Sequence, residues 1–125
     1  MVAELISVGT EILLGNIVNT NAAYLAEKCA LLGLSLYHQS VVGDNEARME
    51  DTIRRALERS DVVILTGGLG PTKDDLTKEV TAKVFKKALC EDAHTKERIM
   101  EFFQKIHNGE KITENNWKQA LIPEG

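Results

Sequence analysis

The chain has 125 residues, of which 43% are hydrophobic and 27% are charged. This length suits one core of two or three layers, so we expect a single domain over residues 1–125. The formal net charge of −4 argues against general nucleic-acid binding, which normally requires a basic surface. No apolar run approaches the roughly 18 residues of a membrane helix, and no secretory signal is visible, so we expect no membrane partner.

The two cysteines, Cys29 and Cys90, lie far apart in apolar stretches. Their spacing supports neither a zinc site nor a disulfide. We therefore predict two buried free thiols and a cytoplasmic protein.

The first half of the chain predicts strands that alternate with helices. Residues 2–8 form an apolar strand, and residues 10–21 form a loop that can contain a short strand. Apolar residues then recur at helical spacing from Asn21 to Leu32. A second strand covers residues 34–42, and Asp44 or Asn45 is the N-cap of a helix that ends near Arg59. Residues 61–66 form the third strand.

The second half predicts mainly helices. One begins near Leu76, and another begins near His94 or Thr95 and ends at Asn108-Gly109. A short helix over residues 113–118 precedes an apolar segment that leads into Pro123.

The alternation predicts an α/β fold, a three-layer α/β/α arrangement with a mostly parallel sheet. In such sheets, ligands bind beyond the carboxyl ends of the strands. The turns over residues 9–11, 43–44 and 66–75 all follow predicted strands, so we expect them at one edge of the sheet.

The third of these turns, Thr66-Gly67-Gly68-Leu69-Gly70-Pro71-Thr72-Lys73-Asp74-Asp75, carries the strongest signal of function. Backbone N–H groups and the dipole of a helix N-terminus favour an anion, and glycine lets the main chain come close to a ligand. The turn could also be only a tight strand-to-helix connection. Its spacing matches neither a Walker loop nor a dinucleotide fingerprint.

Three of the four acidic residues near these turns have two possible roles. Asp74 and Asp75 are predicted in the first turn of a helix, where they could complement its dipole, and Thr72 with Asp75 resembles a capping box. Alternatively, at least one of them faces the ligand. Asp44 could likewise be an N-cap or a ligand group, whereas Glu11 lies in a predicted loop where no N-cap role explains it.

Two asparagines have the same ambiguity. Asn19 and Asn21 flank the start of the first predicted helix, where they could cap it or hydrogen-bond a ligand hydroxyl.

Linked motifs give the chain a specific resemblance over essentially its whole length. The motifs are residues 8–11, residues 15–21, residues 42–45, the glycine turn with Leu65 before it, Asn115–Ala120, and Pro123–Gly125. Together they resemble the N-terminal domain of the competence/damage-inducible CinA proteins, within the molybdopterin-binding superfamily.

The resemblance implies a molybdopterin-binding-domain-like fold and ADP-ribose pyrophosphatase activity that needs a divalent ion, Mg²⁺, Mn²⁺ or Co²⁺. It implies Asp44 and Asp75 as the catalytic acidic pair. The other implied roles are metal ligands at Asp44, Asp74 and Asp75, and contacts to a small phosphorylated ligand (ADP-ribose or a pterin) at Thr10, Glu11, Asn19, Asn21, Thr66, Gly67, Gly68, Leu69 and Gly70.

The family domain continues beyond the position of Gly125, so we expect its C-terminal strands and a second ligand loop to be missing here. We also expect no amidase activity, because that domain of the family is not in this sequence. A non-catalytic pterin- or nucleotide-phosphate-binding module remains the alternative function. An exposed last strand in a parallel sheet favours a homo-oligomer.

Overall fold

The computed structural model describes residues 1–106 and 113–125. These residues form two compact units, Met1–Gly68 and Leu69–Gly125, which we refer to as unit 1 and unit 2. The predicted helix end at Asn108-Gly109 lies outside the described residues. Within the described ranges, none of the helices combines the length and hydropathy needed to cross a bilayer.

Unit 1 is built on a parallel three-stranded sheet. Its strands are β1 (Val2–Val8), β2 (Ser35–Val42) and β3 (Val62–Thr66), in the order β2-β1-β3. Strand β1 pairs in parallel with both neighbours. The predicted α/β class with a parallel sheet is therefore confirmed, and β1 is the central strand.

Helices cover both faces of this sheet. On one face, Ala3 and Leu5 of β1 pack against Cys29 of helix α2 (Thr20–Leu31). On the opposite face, the guanidinium of Arg59, the last residue of helix α3 (Glu46–Arg59), contacts the Glu4 carboxylate at 2.7 Å. Successive side chains of a strand point to opposite faces, so unit 1 by itself has α/β/α layering.

The segment predicted as a loop contains a helix and no strand. Helix α1 covers Thr10–Leu13. The amide of Leu13 donates to the Gly9 carbonyl at 3.1 Å, and that of Leu14 donates to the Thr10 carbonyl at 3.0 Å. These i to i−4 bonds satisfy the backbone locally, so the segment needs no neighbouring strand.

Asn45, rather than Asp44, caps helix α3. The Asn45 side-chain oxygen accepts a hydrogen bond from the amide of Arg48 at 3.0 Å. Asp44 lies one residue too early for this geometry, so its carboxylate belongs to the turn after β2.

Unit 2 contains the remaining elements. They are helix α4 (Thr77–Val84), strand β4 (Leu89–Glu91), helix α5 (Ala93–Ile106), helix α6 (Glu114–Trp117), a 3₁₀ turn (Lys118–Ala120) and strand β5 (Leu121–Pro123). Strands β4 and β5 are antiparallel, and neither was predicted as a strand from the sequence because three residues are too few to show an alternating pattern. The prediction that Cys90 is buried is wrong: it lies in this narrow ribbon, which leaves its side chain exposed.

The cap of α3 gives a direct test of the fold. We expect Asn45→Ala to lower the free energy of unfolding by about 0.5–2 kcal/mol, because the Arg48 amide loses its acceptor. Asn45→Asp keeps an acceptor oxygen and serves as the matched control, with stability near that of the wild type. Urea denaturation measures both, and equal stability of the alanine variant and the wild type would contradict the cap.

Candidate functional site

The turns after the strands of unit 1 meet at one edge of its sheet because all three strands are parallel. The β1–β2 pairing extends past Val8, since the amide of Gly9 donates to the Val42 carbonyl at 2.9 Å. Thr10 and Asp44 follow directly. The Thr10 hydroxyl accepts from the Asp44 amide at 3.1 Å and lies 3.2 Å from Asp44 Oδ2, to which it donates. The fold thus brings together two predicted site residues that are 34 positions apart in sequence.

Gly67 marks the end of β3 at the same edge. Its φ is +90°, and a β-carbon at this position would overlap the carbonyl oxygen of Val8. Both the left-handed backbone and the close approach of β1 therefore require glycine.

Glu11 has a structural explanation that the sequence did not reveal. It lies in the first turn of α1, where a carboxylate complements the helix dipole. Its side chain folds back over Gly9, so that a β-carbon on Gly9 would lie 2.6 Å from Glu11 Oε1. The prediction that Glu11 lies in a loop is wrong, whereas its contact to a ligand stays a prediction.

Among the other predicted residues of unit 1, Asn19 makes structural hydrogen bonds. Asn19 caps α2 by accepting from the Ala22 amide at 3.2 Å, and its side-chain nitrogen donates to the Ser7 hydroxyl at 2.8 Å. Asn21 is exposed in the first turn of α2, and Thr66 is half-buried at the end of β3. A ligand contact from Asn19 would have to replace one of these bonds.

In unit 2, Thr72 and Asp75 close a turn. Asp75 Oδ2 accepts from the Thr72 amide at 3.0 Å and from the Thr72 hydroxyl at 2.6 Å. Helix α4 begins only at Thr77. The prediction that Asp74 and Asp75 occupy its first turn is therefore wrong, because the capping-box residues form a separate turn before the helix.

Asp75 is held as an anion. The hydrogen bond from the Thr72 hydroxyl lowers the pKa of Asp75, and backbone hydrogen bonds from Thr72 and Gly70 and the charge of Lys118 lower it further. Partial burial opposes these effects, but the pKa remains below its ordinary value. The Gly70 amide thus serves Asp75 in this structure, while Leu69 and Asp74 are exposed.

The structure adds Lys118 to this turn, a residue to which the sequence assigned no role. Its Nζ donates to the carbonyls of Thr72 and Asp75 and lies 3.4 Å from Glu79 Oε1. No spacing in the sequence relates Lys118 to residues more than 40 positions earlier.

The acidic groups do not form a ready-made metal cage. Within residues 1–106 and 113–125, no three His, Cys, Asp or Glu side chains are grouped closely enough to hold a metal ion. Carboxylates such as Asp44 and Asp75 are nevertheless the ligand type that Mg²⁺ prefers, and Mg²⁺ commonly uses only one or two of them.

Comparison with known proteins identifies the family. The model of the probable molybdopterin binding domain family matches residues 4–123, so the chain belongs to that family. The chain is 54% identical, over all 125 residues, to a putative competence-damage inducible protein of Caldanaerobacter subterraneus subsp. tengcongensis. It is 53% identical to another from Clostridium beijerinckii. It spans about 30% of the length of both relatives.

Solved structures agree with this assignment. The crystal structure of the protein CinA from Thermoplasma acidophilum is similar with a TM-score of 0.81 and 38% identity, over 97% of this chain and 69% of that one. MoaB from Thermus thermophilus shares the fold, with a TM-score of 0.62 and 17% identity over 97% and 77% of the two chains. The predicted resemblance to CinA is confirmed.

Two substitutions separate the stability cost of the close approach at Gly67 from the cost of its backbone strain. Gly15 also has a positive φ, +76°, but a β-carbon there meets nothing within 4 Å. We expect Gly15→Ala to cost about 1–2 kcal/mol of stability from strain alone. Gly67→Ala should cost an additional ~1–3 kcal/mol from overlap with the Val8 carbonyl. Equal losses in urea denaturation would contradict the overlap.

The turn at Asp75 predicts a pH dependence of stability. Because folding lowers its pKa, ionised Asp75 contributes stability above its unfolded pKa, and this contribution is lost as pH falls through the folded pKa. Thr72→Val removes the largest cause of the shift and should raise the pKa of Asp75. The wild type should therefore lose more stability than this variant between neutral pH and about pH 3.

NMR titration of the Asp75 carboxyl checks this directly. Thr95→Val is the matched control, because the Thr95 hydroxyl makes the same kind of bond to Asp92 at 2.5 Å. If the pKa of Asp75 changes in Thr95→Val, or is unchanged in Thr72→Val, the hydrogen bond from the Thr72 hydroxyl is not the cause of the lowered pKa.

Proposed function

We propose that the chain carries a divalent-metal-dependent pyrophosphatase that hydrolyses ADP-ribose or a similar nucleotide diphosphate sugar. Its membership of the probable molybdopterin binding domain family supports a small-ligand site, and the resemblance to the CinA proteins implies a substrate with phosphate groups. The proposal extends beyond the relatives' names, because the chain spans only about 30% of the curated proteins it matches.

The observation that carries the proposal is the fixed, ionised carboxylate of Asp75. A diphosphate carries roughly two negative charges and is repelled by a carboxylate unless a cation lies between them. Like other aspartates, Asp75 is charged at neutral pH, and the bonds from the Thr72 amide and hydroxyl fix the direction of its carboxylate, so it can bind such a cation without first losing a proton. This chemistry favours a metal-bridged diphosphate over a neutral ligand.

Asp44 and Asp75 each offer hard carboxylate oxygens of the kind that Mg²⁺ binds, and Mg²⁺ usually completes its coordination with water and substrate phosphates. Bound Mg²⁺, Mn²⁺ or Co²⁺ would polarise the phosphoryl group and lower the pKa of a bound water. The chain itself orients the two carboxylates: Thr10 restrains Asp44, and Thr72 with Gly70 restrains Asp75.

The glycine turn is proposed to supply backbone amides to a phosphate oxygen, as predicted for residues 67–70. Gly70 would contact phosphate only if its amide exchanged the Asp75 carboxylate for the ligand. Such an exchange would leave Asp75 with the two bonds from Thr72.

A binding module without hydrolysis is the competing function. Isothermal titration calorimetry with ADP-ribose, with and without Mg²⁺ or Co²⁺, separates the two when product formation is followed on the same samples. Metal-dependent binding with release of AMP supports the hydrolase. Binding without product supports the module.

The residue test uses Asp75→Asn. The amide oxygen still accepts from Thr72, so we expect the melting temperature to change by only a few degrees. Loss of the charge should lower kcat for ADP-ribose by at least about 100-fold. Asp92→Asn is the matched control, since Asp92 accepts equivalent bonds from the Thr95 amide and hydroxyl and lies outside the predicted site. Unchanged turnover in Asp75→Asn would refute the assignment.

A further inference from the structure

Lys118 is more enclosed than a typical surface lysine. Its side chain is only 18% exposed, and its ammonium is directed at the Thr72–Asp75 turn. Two of its contacts are backbone carbonyls, those of Thr72 and Asp75, which are the first and last residues of the turn. The third is the Glu79 carboxylate at 3.4 Å, on the first turns of α4.

These three contacts are as many as the N–H groups of the ammonium. A lysine has three N–H donors and no acceptor, and here three acceptors surround it. A ligand would have to displace a carbonyl or the Glu79 carboxylate to contact Lys118. The geometry therefore suits a residue that holds the protein's own backbone rather than one that contacts substrate.

The neighbours of Lys118 restrain it in turn. Lys78 Nζ donates to the backbone carbonyl of Lys118 at 3.0 Å. Glu79 Oε2 is buried and has no hydrogen-bond partner within the described part of the chain. Lys118 lies 3.4 Å from Glu79 Oε1 and Lys78 also interacts with Glu79 by charge, so removing the Lys118 ammonium would take away one of the two cations that compensate this carboxylate.

We propose that Lys118 is a positioning residue, which fixes the Thr72–Asp75 turn by its two ends and so sets the direction of the Asp75 carboxylate. This role rests on the proposed function, in which Asp75 binds the metal ion. Lys118 acts through Asp75 and does not itself contact the reacting atoms.

A purely electrostatic role of Lys118 and a positioning role predict opposite changes in metal affinity when its charge is removed. Removing a positive charge beside Asp75 would by itself strengthen binding of a divalent cation. Loss of positioning weakens it, because the carboxylate no longer lies in the productive direction. The metal requirement of a neutral variant therefore distinguishes the two.

The test is Lys118→Met, which keeps most of the side-chain length. We expect the half-saturating Mg²⁺ concentration for ADP-ribose hydrolysis to rise, and kcat to fall, each by about 10–100-fold. KM for ADP-ribose at saturating Mg²⁺ should stay close to the wild-type value. Lys87→Met, at an exposed lysine of the same unit, is the control and should match the wild type. A lower or unchanged Mg²⁺ requirement in Lys118→Met would overturn the proposal.

Lys118→Arg covers the case in which the methionine variant does not fold. Arginine keeps the charge, but its planar donors cannot place one nitrogen among three acceptors. We expect the same direction of change in kcat and in Mg²⁺ requirement, with a smaller size. Wild-type values for both quantities would overturn the positioning role.

Amide hydrogen exchange separates failure of this inference from failure of the proposed function. If the wild type does not hydrolyse ADP-ribose, the proposed function fails, and the turn can still be examined. The Asp75 amide donates to the Thr72 carbonyl at 3.3 Å and should exchange faster in Lys118→Met or Lys118→Arg than in Lys87→Met. Equal exchange rates would show that Lys118 does not hold the turn.

Discussion

Strand β1 has a parallel partner on each side, and this pairing determines the position of every polar turn in unit 1. Parallel strands end at the same edge of a sheet, so the residues after β1, β2 and β3 become neighbours regardless of their distance in sequence. Thr10 can restrain Asp44 only because Val8 and Val42 are in register. The close approach of Gly67 to the Val8 carbonyl follows from the same pairing.

In unit 2, two kinds of contact restrain the Asp75 carboxylate and the turn that carries it. The metal-binding role proposed for Asp75 requires a carboxylate that points in one direction. Local hydrogen bonds from Thr72 and Gly70 lower the pKa of Asp75, while an ammonium from a distant part of the chain, Lys118, contacts the carbonyls at both ends of the turn. Local bonds therefore favour the charged form and hold the carboxylate, and a long-range contact restrains the backbone.

The predictions that succeeded and those that failed differ in the range of the interactions involved. Strands β1 to β3 and helices α2 to α5 follow patterns several residues long, and their existence was predicted correctly. Helix α1 was missed because its apolar residues lie between glycine and asparagine breaks, which indicated a loop, whereas the equally short α6 was predicted. Strands β4 and β5 were missed because a three-residue strand is recognisable only through its partner. The choice between Asp44 and Asn45 as the cap of α3 depended on a shift of one residue, which local patterns do not resolve.

The sequence by itself determined the alternation of elements, the parallel sheet, the family, and which turns carry glycines and acids, because these depend on periodicity and on linked motifs. Only the tertiary structure decided which groups meet. It paired Thr10 with Asp44, placed Asp75 in a turn before α4 rather than inside it, and brought Lys118 to that turn. The contacts of Thr10 with Asp44 and of Lys118 with the turn depend on strand register and on chain reversals over 30 or more residues, and no local pattern encodes them.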